Sequence, residues 1–255
     1  MQLVILAGGL GSRLSEETST RPKPLVEIGG MPILWHIMKI YATHGVKDFI
    51  ICLGYKGYMI KEFFSNLRLH SSDITISANG NIEYHGDPDN DWTITMVDTG
   101  SPTQTGGRLL RVRDYIKGPD FFMTYGDGLG NVDITELNKF HQQNDCLATV
   151  TATRPTARFG ALELDGMLVN AFKEKPVAEG GWINGGFFVL SREVLNYISD
   201  DQTLWEQEPM RELAAKRQLA AFQHDGFWQP MDTLREKQLL EELWASGRAP
   251  WKVWD

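Results

Sequence analysis

Leu6-Ala7-Gly8-Gly9-Leu10-Gly11-Ser12-Arg13-Leu14 follows directly on an apolar stretch, residues 2–6, and is itself followed by Arg21-Pro22-Lys23-Pro24. A strand that runs into a glycine-rich turn presents backbone N–H groups where a phosphate is gripped. Gly8, Gly9 and Gly11 remove the Cβ atoms that would hold a triphosphate away from the backbone. Arg13 adds a fork of donors, and Lys23, stiffened by a proline on either side, adds a point charge. Two better-known glycine motifs do not fit. No Gly-Lys-Ser/Thr ends the stretch, as a P-loop requires, and Leu14 stands where a dinucleotide fingerprint needs a third glycine. Turn and cations together predict phosphate chemistry.

On the C-terminal side of this turn, apolar runs alternate with helical patterns. The sequence predicts strands at residues 2–6, 48–53, 93–98, 121–124 and 147–153, and helices at 33–43, 57–66, 107–116 and 134–143. That alternation is the pattern of a Rossmann-like, doubly wound α/β fold with a predominantly parallel sheet. In the first helix Pro32 suits the first helical position, and Ile33, Ile37, Ile40 and Tyr41 share a face, so His36 and Trp35 need no catalytic role. From about residue 156 the pieces become strand-like, at 161–164, 169–172 and 183–190, and are expected as added, partly antiparallel strands of a mixed sheet. Helices are expected near 208–216 and 234–245, and residues 79–91, rich in Gly, Asn, Asp and Pro, as a long mobile loop.

The 255 residues suit one domain with two parts, about 1–155 with the strand–helix alternation and about 156–255 with the added strands and C-terminal helices. A net charge of −8 and the lack of a basic tract argue against nucleic acid. An acidic chain that binds a polyanion must do so with a few aimed cations and a divalent metal. Cys52 and Cys146 lie in separate apolar runs without metal spacing and read as buried free thiols. With neither a signal-peptide pattern nor an apolar run of membrane-spanning length, no membrane is expected and the cytoplasm is the expected location. The six histidines are scattered, and no Ser/His/Asp or Cys/His set for covalent catalysis is visible.

Phosphoryl chemistry on a nucleotide needs charge neutralisation more than a proton-transferring residue, and Mg²⁺ held by one or two carboxylates is the usual means. Asp127, in Tyr125-Gly126-Asp127-Gly128 directly after an apolar strand, and Asp232, in Met231-Asp232-Thr233, are the candidates. Each has a plainer alternative. Gly-Asp-Gly is good turn chemistry, and an Asp-Thr before the helical run at Leu234 suits an N-cap.

The run Leu-Ala-Gly-Gly-x-Gly-x-Arg-Leu with its downstream Pro-Lys-Pro resembles the signature of the sugar-1-phosphate nucleotidylyltransferases. Further segments extend the resemblance over nearly the whole chain: Val26-Glu27-Ile28-Gly29-Gly30, Gly54-Tyr55-Lys56-Gly57-Tyr58, Thr105-Gly106-Gly107-Arg108, Asn184-Gly185-Gly186-Phe187-Phe188 and Gly226-Phe227-Trp228-Gln229-Pro230-Met231-Asp232-Thr233. The resemblance implies the nucleotide-diphospho-sugar transferase type of fold, Mg²⁺ bound by Asp127 and Asp232, and direct attack of a sugar phosphate on a nucleoside triphosphate. It assigns base and ribose to the backbone of Leu6, Ala7, Gly8, Gly9, Leu10 and Gly11, with Ser12 also on the nucleotide side, the β- and γ-phosphates to Arg13, and the α-phosphate to Lys23. Arg13, Lys23 and Asp127 would carry catalysis. Gly128 belongs to the nucleotide side with Thr105, Gly106 and Arg108. That last segment departs from the Gly-Leu-Ala-Gln type of the uridylyl and thymidylyl members, which implies CTP, although a plain N-cap at Thr105 also explains it. Gly160, Glu174, Lys175, Asn184, Gly185 and Tyr125 are expected on the sugar side, for glucose 1-phosphate. A homo-oligomer is implied by the family, with exposed aromatics near Trp244, Trp251 and Trp254 available for an interface. The alternatives are the same reaction with UTP or dTTP, or a silent nucleotide-sugar-sensing subunit, which retention of Arg13, Lys23, Asp127 and Asp232 disfavours.

Overall fold

A computed structural model of the chain describes residues 1–86, 91–154, 161–165, 168–173 and 181–254. Seven strands form the central sheet: β1 (Leu3–Leu6), β2 (Asp48–Leu53), β3 (Thr93–Asp98), β4 (Asp120–Tyr125), β5 (Ala148–Thr153), β6 (Ile183–Ser191) and β7 (Leu219–His224). Their spatial order is β7-β5-β6-β4-β1-β2-β3. The pairs of β1 with β2 and β4, β2 with β3, and β5 with β7 are parallel. β6 alone in this sheet runs against its neighbours, wedged between β4 and β5. The sheet is therefore mixed and predominantly parallel, as the sequence pattern implied.

Alternate residues of a strand face opposite sides, and β1 shows the consequence. Leu3 and Ile5 join one apolar cluster with α1 (Ile33–Thr43) and α2 (Gly57–Ser65), whereas Val4 and Leu6 join a second cluster with α3 (Thr105–Arg111). α4 (Ile134–Gln143) and α6 (Leu234–Ala245) contribute Leu137 and Leu240 to the first cluster, and α5 (Glu208–Ala215) contributes Leu213 to the second. Every residue of β1 is buried, as expected for a central parallel strand covered on both faces.

Several expectations change. Pro32 occupies the cap position of α1, one residue before the helix begins. The third helix starts at Thr105 and gives way to a 3-10 turn, Arg113–Tyr115. Of the presumed loop at 79–91, Ile82–His85 is a strand paired antiparallel with Asp73–Ile76, while 87–90 lie outside the described residues. The strands Ala161–Asp165 and Leu168–Lys173 pair with each other as a separate two-stranded sheet. Cys52 is a buried free thiol, its pKa pushed up to about 12 by burial against the opposing pull of Arg108, but Cys146 is only half-buried. The C-terminal tryptophans turn inward: Trp251 is fully buried, and Trp244, Trp251 and Trp254 surround His36. Among the described residues no helix is long and apolar enough to cross a membrane.

Candidate active site

β1 and β4 end in register, Leu6 opposite Tyr125, and β2 ends one residue further on, with Leu6 opposite Cys52. The segments that follow these strands thus emerge at one carboxyl edge, where ligands of open α/β sheets bind. Because β6 runs the other way, its first residues, including Asn184, arrive at that same edge. The glycine turn is fastened from below. Ala7 N donates to Cys52 O at 3.0 Å, Tyr55 N to Gly8 O at 3.2 Å, and Gly126 N to Leu6 O at 3.0 Å. Thr18 Oγ1 is 3.0 Å from both Gly11 O and Leu14 O and knits the far side of the loop. Lys23 begins a short 3-10 turn entered from extended Pro22, so the flanking prolines do fix its backbone.

Lys23 is 7% exposed and bonds two carboxylates at once, Asp127 Oδ2 at 2.6 Å and Asp232 Oδ1 at 2.7 Å. Arg13 reaches the other oxygen of Asp232 at 2.9 Å. The two aspartates, far apart in sequence, meet because Gly128–Gly130 and Trp228–Pro230 pair antiparallel and Met231 N donates to Asp127 O at 2.9 Å. Asp232 is not the cap of α6. Thr233 is, through a capping box in which its side chain accepts from Glu236 N and the Glu236 carboxylate accepts from Thr233 N. Asp232 is left to face the cations. Burial alone would lower the pKa of Lys23, but the charges and hydrogen bonds of Asp127 and Asp232 outweigh it and raise it above the ordinary lysine value.

A cavity of about 1740 Å³ opens over this cluster. It exceeds the few hundred to roughly 1,000 Å³ of a typical single-ligand pocket. Of the sequence-derived candidates it is lined by Leu6, Ala7, Gly8, Gly9, Leu10, Gly11, Ser12, Arg13, Lys23, Thr105, Arg108, Tyr125, Asp127, Asn184 and Asp232. Gly106, Gly128 and Gly185 lie behind the lining: Gly106 N donates to Thr203 O, Gly128 pairs with Pro230, and Gly185 O accepts from Trp228 Nε1 at 2.7 Å. Gly160, Glu174 and Lys175 lie outside the described residues.

Arg108 is 4% exposed, and its guanidinium donates to Leu53 O at 2.9 Å, Thr99 Oγ1 at 2.7 Å, Gly8 O at 3.1 Å and Ser101 O at 3.2 Å. It braces the glycine turn through carbonyls. Thr105 is the first residue of α3 and Gln104 its cap, so the hydroxyl of Thr105 is committed elsewhere, to Glu206 Oε2 at 2.6 Å. Glu206 Oε1 accepts from Tyr125 OH, also at 2.6 Å, and Asn184 Nδ2 donates to that phenol at 3.3 Å. Burial first, and then the adjacent Glu206 charge, push the phenol pKa of Tyr125 up, so Tyr125 stays a neutral donor. Glu206, together with Ser101 to Gln104 and the α6 residues Arg235, Gln238 and Leu239, lines the cavity without having been singled out from sequence. Glu206 and Ser101 to Gln104 lie in segments with no spacing that would have marked them, and the α6 residues read from sequence only as part of a helix.

Two glucose-1-phosphate cytidylyltransferases, from Salmonella typhi and Salmonella typhimurium, are each 56% identical to this chain over 257 aligned residues covering 100% of both sequences. The crystal structure of HddC from Yersinia pseudotuberculosis superposes with a TM-score of 0.68 at 23% identity, covering 95% of this chain and 99% of that one, and shows the same nucleotide-diphospho-sugar transferase fold. A family model described as nucleotidyl transferase matches residues 2–235, and the chain belongs to that family.

Proposed function

We propose that the chain transfers a cytidylyl group from CTP to glucose 1-phosphate, forming CDP-glucose and pyrophosphate. The observation that carries this reading is the convergence of Arg13, Lys23, Asp127 and Asp232 on one cavity beside the glycine turn. Full-length identity to glucose-1-phosphate cytidylyltransferases supports the choice of base and sugar.

Asp127 and Asp232 offer hard oxygen donors on either side of one point, and among the described residues no group of three or more His, Cys, Asp or Glu converges. That donor set fits Mg²⁺, which takes one or two carboxylates and completes its shell with water and substrate phosphates. When bound, the ion neutralises charge on the triphosphate. Lys23 and Arg13 are balanced here by the two carboxylates, and a triphosphate offers them a second anion. Lys23 then holds the α-phosphate, where charge accumulates as an oxygen of glucose 1-phosphate attacks in line. The new P–O bond forms as the bond to the β-phosphate oxygen breaks and pyrophosphate leaves. The attacking phosphate is already an anion, so no general base is required. Arg13 retains the β- and γ-phosphates, while Tyr125 and Asn184 orient the sugar, in the same reading with Gly160, Glu174, Lys175 and Gly185. A homo-oligomer in the cytoplasm is part of this reading, on the strength of the family resemblance, and light scattering measures the first half of it.

The test is to incubate the purified chain with Mg²⁺, glucose 1-phosphate and each nucleoside triphosphate in turn and to identify products by mass. CDP-glucose from CTP, well ahead of any other product, is expected. Preferred turnover with UTP or dTTP overturns the base assignment, and no nucleotide sugar from any triphosphate overturns the reading altogether.

A further inference from the structure

Glu206 belongs to the segment that joins β6 to α5, and the stretch from Asp201 to Trp205 just before it is seated on the start of α3. Gln104 N donates to Asp201 O at 2.8 Å and Gly106 N to Thr203 O at 2.9 Å. Arg111 grips the Asp201 carboxylate with two bonds, at 2.8 and 2.5 Å. Trp205, fully buried, donates its backbone N–H to Thr105 Oγ1 at 2.9 Å. The approach is close enough to dictate sequence. A Cβ on Gly106 would stand 2.7 Å from Thr203 O, and one on Gly107 2.6 Å from the Asp201 Cα. The glycine pair of Thr105-Gly106-Gly107-Arg108 is thus a seat for the segment that carries Glu206.

From this fixed base the Glu206 carboxylate turns to the cavity and divides its two oxygens. One takes the hydroxyl of Thr105, at the nucleotide side; the other takes the phenol of Tyr125, which Asn184 joins from the sugar side. Hydrogen bonds to a charged acceptor are the strong ones, and a row of them acts as a unit. We propose that Glu206 is a positioning residue that holds the nucleotide-side and sugar-side groups in one register, so that order at one end is felt at the other. This rests on the transferase reading above.

The experiment is a double-mutant cycle read by steady-state kinetics, using Glu206→Gln, Tyr125→Phe and the pair. Gln keeps the shape but supplies one acceptor oxygen where the carboxylate supplies two. Glu206→Gln is expected to lower kcat/KM by about 10- to 100-fold, with a raised KM for glucose 1-phosphate. In the Tyr125→Phe background, where the phenol is already gone, it should cost no more than about threefold further. A merely structural loss lowers kcat through the active fraction and leaves KM unmoved. A second cycle, Thr105→Val with Glu206→Gln read by the KM for CTP, tests the other arm and decides the matter if the tyrosine pair does not fold. Additive losses in the cycle, or wild-type kcat/KM in Glu206→Gln, overturn the proposal. Failure of the wild-type chain to make CDP-glucose overturns the transferase reading instead, so the two failures are distinguishable.

Discussion

Burial disfavours a charge on Lys23, yet two carboxylates within hydrogen-bond distance keep its ammonium charged well above neutral pH. A residue so held is placed to meet charge that develops in a transition state, so Lys23→Met should lower kcat by about 10²- to 10³-fold with a smaller effect on KM, as steady-state kinetics would show. Gly8 illustrates a different constraint. A Cβ there would lie 2.1 Å from Arg108 Nη1 and 2.3 Å from its Cζ, and that guanidinium is tied to four oxygen acceptors. Gly8→Ala should therefore cost about 1–3 kcal/mol in a denaturant melt and weaken CTP binding as well. At this scale the sequence was legible in placing the signature residues Arg13 and Lys23 together with Asp127 and Asp232 at one cavity. It was not legible where one residue type serves two ends. Asp232 and Thr233 are both good helix caps, and only the fold shows that Thr233 caps while Asp232 faces Lys23. Arg108 suits a phosphate as well as a carbonyl, and its depth beneath the glycine turn commits it to carbonyls.

The long helices and the buried parallel strands announced themselves because their apolar periodicity is regular, and β2, β3, α1, α4 and α6 begin and end where that pattern does. Elements without a buried face escaped. Residues of β7 are mostly half-exposed at the sheet edge, and the Asp73–Ile76 and Ile82–His85 strands frame the turn-rich Asn79-Gly80-Asn81, which reads as loop. Added, partly antiparallel strands were expected after about residue 155, but the place of β6 inside the sheet depends on long-range pairing that no local pattern encodes. The start of α6 joins element to site. Thr233→Ala removes the cap one residue from Asp232, and should cost about 1 kcal/mol of stability by thermal melt. Its effect on pyrophosphate release at 25 °C should exceed the effect on the folded fraction, because the arm that aims Asp232 loosens before the protein unfolds.

Across the whole molecule, the C-terminal segment is clamped to α1 through His36. The imidazole is fully buried, Nε2 lies 2.8 Å from Ile28 O, and Trp251 Nε1 donates to Nδ1 at 3.4 Å. Burial lowers its pKa to about 4, against the opposing pull of backbone bonds to Ile28 and Met31. The unfolded chain takes up a proton near pH 6.5 that the native chain refuses until about pH 4, so this stability is complete above pH 6.5 and drains away as pH falls through that window. The amount at stake is about 3 kcal/mol. Denaturant melts of wild type and His36→Gln at pH 7.5 and 4.5 should show the wild-type advantage shrinking by up to that amount at the lower pH; an unchanged difference would mean that His36 does not titrate this way.

The same global fold brings Asp127 and Asp232 to one point from opposite halves of the sequence, and the proposed chemistry depends on that meeting. The most direct measurement is pyrophosphate release from CTP and glucose 1-phosphate, with Mg²⁺ present, by folded Asp127→Asn and Asp232→Asn variants. Each is expected to lose at least about 100-fold in kcat relative to wild type. Turnover by either variant at the wild-type rate would contradict the account.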